Sequence, residues 1–130
     1  MYTAFNASEN APATWSMTPE LLDIESTDSG MIAELLTLFL DDSAARLQTL
    51  GSACVREDFK VIRAQAHSLK GSALQMGAFG MAALCAALEN SERPGTEQRE
   101  TLTNAIDDEF ALVRRAIELY RFRTAGAGTC

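Results

Sequence analysis

The sequence has little that could hold a metal or run acid-base chemistry: its 130 residues include one histidine and three cysteines. Cys54, Cys85 and Cys130 are odd in number and match no zinc spacing and no Cys-x-x-Cys pair. Cys54 and Cys85 read as small packing residues and Cys130 as a free thiol on a tail, which suits a reducing compartment. Positive charge is also scarce. Against 18 Asp and Glu there are 11 Lys and Arg, a formal net charge of -7, and a nucleic-acid partner is therefore not expected, because phosphate backbones attract basic proteins. No run is long and apolar enough to span a membrane. The opening MYTAFNASENAPATW has neither the basic nor the apolar region of a signal peptide. A cytoplasmic location without membrane insertion is the expectation.

What is present is a globular composition, 47% hydrophobic and 22% charged, at a length that buries a core without staples. Residues 1–17 read as a loose leader with Trp15 resting on the body, 18–123 as one domain, and 124–130 as a flexible tail. Thr18 is a good N-cap for a short helix, with Pro19 at its first position and Glu20 in its first turn. A second helix is predicted from Ser29 to about Gly51, its apolar residues Ile32, Leu35, Leu36, Phe39, Leu47 and Leu50 recurring at helical spacing. A third runs from about Glu57 to Met76, before Gly77. A fourth covers roughly Phe79–Ser91 and stops at Arg93-Pro94-Gly95. A fifth runs from about Thr96 to Arg123, with Leu102, Ile106, Phe110, Val113, Ile117 and Tyr120 on one stripe.

No segment alternates as a strand does. The fold class is all-α: an antiparallel up-down four-helix bundle with an additional short N-terminal helix. The small residues Ala82, Ala83, Ala86 and Ala87 suit close helix packing in the interior, with Phe79, Leu84 and Leu88 as the bulk of the fourth helix.

On a helical wheel, Phe59, Ile62, Ala66, Leu69, Ala73 and Met76 form the core arc of the third helix. His67 falls about 130° from its centre and so points to water. Lys60, Arg63 and Lys70 lie on its side of the helix. Ala64 and Gly71 sit one turn before and after it, and Leu74 two turns on. A mid-helix glycine costs about 1 kcal/mol relative to alanine; close approach by another protein's backbone would account for Gly71. Neutral imidazole, with an unperturbed pKa of about 6.5, is a nucleophile near neutral pH. Phosphoryl transfer demands positioning and charge stabilisation more than covalent help. Lys70 can neutralise phosphoryl charge, and Arg63 and Lys60 add a screened field. The same residues also fit a plain solvated helix face with an inert histidine and a glycine set by packing.

The run Ala66-His67-Ser68-Leu69-Lys70-Gly71-Ser72-Ala73, followed by Met76-Gly77-Ala78, resembles the signature of histidine phosphotransfer (HPt) domains. Leu36 to Asp42 resembles the family's preceding helix and Leu84 to Glu89 the following one, so the likeness covers about residues 18–123. It implies that His67 is phosphorylated, through Nε2, that Lys70 contacts the phosphoryl group, and that Gly71 admits a docking receiver domain. The docking surface would comprise Gly71, Ala64, Lys60, Arg63, Leu74 and Gln75. Partners would be response-regulator receiver domains and a hybrid sensor histidine kinase, with Mg²⁺ on the receiver only. The chain itself would be a monomeric phosphocarrier without cofactor, metal or autonomous catalysis. Gln75 and Met76 depart modestly from the family's usual pair, and Gln75, at the edge of the docking face, reads equally as a residue that tunes partner choice and as an ordinary exposed polar residue of the helix. Two alternatives stay open: a chemotaxis-kinase-type phosphoacceptor domain phosphorylated directly by a kinase, and a helical adaptor in which His67 is incidental. Ser68 and Ser72 read as surface hydroxyls, since no Gly-x-Ser-x-Gly elbow is present.

Overall fold

The computed structural model describes residues 14–129, with side chains as far as Thr124. The first thirteen residues of the expected leader and Cys130 lie outside the described residues. Five helices follow in order: α1 (Pro19–Thr27), α2 (Ser29–Arg56), α3 (Phe59–Met76), α4 (Phe79–Asn90) and α5 (Thr96–Thr129). There is no strand among the described residues. α3 packs against α2 and α4, and α5 packs against α4 and α2, which closes a ring of four; α1 lies on α2. The links Glu57-Asp58 and Gly77-Ala78 are too short for anything but antiparallel neighbours.

Local chemistry sets each helix start. The Thr18 hydroxyl accepts from the Leu21 N–H at 3.1 Å, ahead of Pro19. Asp28 caps α2 through Met31 N–H at 3.0 Å, and Asp58 caps α3 through Val61 N–H at 3.3 Å. Because Asp58 is the cap, α3 starts at Phe59 rather than Glu57. Glu57 instead takes the left-handed conformation, φ 58°, that ends α2. Its carboxylate meets the Arg99 guanidinium at 3.2 Å, and Arg99 is buried, donating to the Pro94 carbonyl at 2.8 Å.

Three further sequence expectations need correction. α2 does not stop near Gly51 but continues to Arg56: a glycine lowers helix propensity by about 1 kcal/mol without forbidding the helix, and Leu50 and Ala53 on either side are buried. α5 likewise runs past Arg123 to Thr129, since the tail holds no proline to break it. In α4 the interior bulk is Met81 and Leu88, whereas Phe79 is 55% exposed and Ala83 and Ala87 face water. Ala82 and Cys85 are the small buried residues of that helix. Burial pushes the Cys85 thiol up to about 12, which leaves it an inert packing group.

The core holds the predicted faces otherwise: Ile32, Leu36, Phe39 and Leu50 from α2, Ile62, Ala66, Leu69, Ala73 and Met76 from α3, and Ile106, Phe110, Val113 and Ile117 from α5. Trp15 closes one end. It is buried, meets Tyr120 edge-on at 5.6 Å between centroids, and donates its indole N–H to the Met76 carbonyl at 2.6 Å. That carbonyl is one that the end of α3 leaves without a helical partner.

Gly77 makes this closure possible. Its φ is +86°, and a Cβ there would stand 2.5 Å from the Ser16 carbonyl oxygen. Both the left-handed backbone and the contact exclude a side chain. Gly77→Ala is expected to cost about 2 kcal/mol or more in denaturant unfolding. Gly77→Asn, which tolerates the backbone conformation but not the contact, should recover little of that loss; full recovery would show that only φ matters.

Candidate functional site

The burial of Ile62, Ala66, Leu69, Ala73 and Met76 against the bundle turns the opposite side of α3 outward. His67 stands there with its side chain 67% exposed. Lys60, Arg63, Ala64, Gly71, Leu74 and Gln75 are all exposed on the same helix. Lys70 is more sheltered, at 29%.

The imidazole is not free to turn. Its Nδ1 lies 2.6 Å from Oε2 of Glu89, and the other carboxylate oxygen of Glu89 lies 2.7 Å from Lys70 Nζ. At that distance the ammonium and the carboxylate form a close ion pair. Glu89 reaches the pair from the last turn of α4, and its side chain is 17% exposed. Lys70 first, then His67, hold the Glu89 carboxyl below its ordinary value of 4.5. An ionised carboxylate only accepts, so it selects the ring tautomer with the proton on Nδ1. In the neutral ring this leaves the lone pair on Nε2, which has no partner among the described residues. The arrangement suits a nucleophile with its proton held on the far side.

Lys70, which the sequence offers as a charge for the phosphoryl group, is tied to the same carboxylate as the ring. Glu89 was not singled out by sequence reasoning. The one signal was that it is the only charged residue of α4, FGMAALCAALEN.

Gly71, one turn beyond His67, shows open space: a Cβ added to it would meet nothing within 4 Å. No intramolecular packing accounts for the glycine. Beyond it, Leu74 is 49% exposed, and Gln75 borders a shallow groove of about 320 Å³ lined by Leu35, Leu38, Phe39 and Asp42 of α2 and by Ser72 and Met76 of α3. At the other end of α3, Lys60 and Arg63 line a second concavity with Phe59, Glu92 and Arg93. Among the described residues no three His, Cys, Asp or Glu converge as a metal site would need, and no helix is long and apolar enough to cross a membrane.

Fold and site together define a helical bundle that presents one oriented, solvent-facing imidazole beside an ammonium and a bare stretch of helix. The model of the Hpt domain matches residues 34–116. The chain is also similar to histidine-containing phosphotransfer protein B (HptB) from Pseudomonas aeruginosa PAO1, in a crystal structure, at 33% identity over 88% of this chain and 98% of that one, with a TM-score of 0.75. No significant match is found among curated proteins. The chain belongs to the Hpt domain family and is a histidine phosphotransfer intermediate of phosphorelays. Hpt domains are phosphocarrier modules that work with receiver domains and kinases of two-component systems.

The Glu89 carboxyl should titrate with a midpoint below 4.5 in a carbon-detected NMR titration, and Lys70→Ala should raise that midpoint. The sign follows from the direction of the shift. A carboxyl lowered in the folded chain supplies its stabilising contacts above the ordinary carboxylate pKa and loses them as pH falls through the lowered value. A Glu89 midpoint at or above 4.5 would remove the ion-pair geometry as its cause.

Proposed function

We propose that His67 is the phosphoacceptor, through Nε2, and that it takes a phosphoryl group from a receiver-domain aspartate and returns it to the aspartate of a second response regulator. The supporting observation is the Glu89 clamp on Nδ1, which keeps the ring proton away from the reacting nitrogen. In the forward step the Nε2 lone pair forms a P–N bond as the P–O bond of the aspartyl phosphate breaks, and the aspartate leaves as a carboxylate. The proton stays on Nδ1, against Glu89, so neither direction needs a general base on this chain. The phosphorylated ring is cationic, and the carboxylate stabilises that cation. Lys70, within reach of both partners, neutralises part of the incoming phosphoryl charge. Mg²⁺ and the acceptor carboxylates belong to the receiver, and the chain has no catalytic activity of its own.

Gly71, Ala64, Leu74 and Gln75 form the receiver-docking surface on this reading, with Lys60 and Arg63 at its edge. The open space over Gly71 supports it, because a helix is kept bare there at a cost of about 1 kcal/mol without any internal contact in return. A hybrid sensor histidine kinase is the expected upstream donor.

Incubation of the full chain with phosphorylated receiver domains tests the assignment. The label should be acid-labile, map to His67 and vanish in His67→Gln with the helical spectrum unchanged. Acid-stable label would place it on Ser or Thr, and labelling by a kinase domain and ATP without any receiver would favour a directly phosphorylated domain. Lys70→Ala should slow transfer about tenfold to a hundredfold without abolishing it, the scale of one charge-assisted hydrogen bond; unchanged kinetics would remove its role. Gly71→Ala should raise stability by about 1 kcal/mol, while Gly71→Trp should keep the fold and weaken receiver binding more than tenfold. Normal binding by the tryptophan variant would end the docking explanation for the glycine.

A further inference from the structure

The concavity at the start of α3 joins the edge of the proposed docking surface, Lys60 and Arg63, to a third cation from another part of the chain, Arg93. In a chain with a formal net charge of -7, three exposed cations, Lys60, Arg63 and Arg93, line one open hollow of about 360 Å³ with Phe59 and Glu92. None of the three takes part in an ion pair among the described residues, where Arg46, Lys70, Arg99 and His67 have carboxylate partners. Glu92 offsets one of the three charges, which leaves the hollow net positive. Arg63 lies one turn, about 6 Å, before His67 along the helix axis, and Lys60 about 10 Å before it.

Arg93 comes from the α4–α5 link, far from α3 in sequence, and is held in place. Its guanidinium sits 4.8 Å from the centre of the Phe59 ring. The same ring also carries the buried Arg99 at 5.5 Å, which ties that link to the first turn of α3. A cation positioned over an aromatic face loses less freedom when it meets an anion than a loose side chain does.

We infer that Arg93 completes, with Lys60 and Arg63 at the edge of the docking surface, an electrostatic site that captures an acidic rim on the partner receiver domain and aligns it with His67. The inference rests on the phosphotransfer role proposed above. The two ends of the α3 face then differ in kind: unpaired cations before the histidine, and after it a bare stretch whose one cation, Lys70, is paired with Glu89. A partner can match both ends in only one orientation, so the cluster sets register as well as encounter rate. Such a site acts on association and is screened by salt, since the Debye length falls from about 10 Å at 0.1 M to about 3 Å at 1 M.

The test uses full-length chain, its triple variant Lys60→Glu, Arg63→Glu, Arg93→Glu, and the receiver that exchanges phosphoryl groups with the wild type in the screen above. Melting curves of all variants check that the surface changes leave the fold intact. At low salt the second-order transfer rate should fall at least tenfold in the triple variant, and the two proteins should converge near 1 M salt. The wild-type rate should fall with ionic strength and the variant's should not. The neutral variant Arg93→Gln should show a smaller loss in the same direction. Equal rates at low salt, or a loss that persists at high salt, would overturn the inference while leaving phosphotransfer standing. So would tight binding of ATP, used as a small-anion probe, that is lost in the triple variant, because the hollow would then be a nucleotide site. If the wild type exchanges with no receiver at all, the phosphotransfer role itself fails and this docking site with it.

Discussion

One carboxylate governs the site. Glu89 meets the ring of His67 with one oxygen and the ammonium of Lys70 with the other, and without it an imidazole 67% exposed would turn freely about its side-chain bonds. An oriented ring saves the ordering cost that each encounter would otherwise incur. The clamp depends on tertiary structure, since Glu89 belongs to α4 and its two partners to α3. It forms only because those helices pack closely through buried small residues, among them Ala66 and Ala73 on α3 and Ala82 and Cys85 on α4. A bulky side chain at any of these would push the helices apart and lengthen a contact that has no slack at 2.6 Å.

The contacts that hold the molecule together lie away from the exposed face around His67. The closing contacts of Trp15 with Met76 and Tyr120, and the constrained turn at Gly77, lie at the far end of α3 from the cationic hollow. The exposed positions around His67 contribute almost nothing to the core. Gly71 shows the separation most clearly: it lowers helix propensity, and no neighbour fills the space it leaves. A partner's backbone can approach this face without disturbing a buried side chain, which suits a carrier that must meet more than one protein and part from each.

The sequence carried the periodic part of this structure well and the tertiary part poorly. The core stripes of α2, α3 and α5 and the caps at Thr18 and Gly77 follow from spacing and residue type. So does the outward placement of His67, because a wheel needs only α3 itself. Failures came where a local signal competed with packing. Gly51 looked like a helix end, yet buried neighbours carry α2 to Arg56. Phe79 looked like core bulk, yet Met81 fills that place and leaves the ring exposed. Glu89 and Arg93 were missed for a different reason: each acts on α3 from another part of the chain, and no spacing rule reports a contact between His67 and a residue 22 positions away.

The shared carboxylate also bears on why such a site can pass a group in both directions. Before transfer Lys70 neutralises Glu89, and Glu89 in turn holds the Nδ1 proton. On the proposed assignment, a phosphoryl group on Nε2 would bring about two negative charges at neutral pH into reach of that same ammonium. Lys70 must then serve two anions, and the ring, now cationic, draws more strongly on Glu89. The gain at the phosphoryl group is offset in part by the loss at the carboxylate, so the phosphorylated state is stabilised without being locked. A free lysine would grip the group more firmly and slow its return to an aspartate. With His67 as the proposed phosphoacceptor, the ion pair that makes Lys70 look half-occupied would keep it an intermediate rather than an end point.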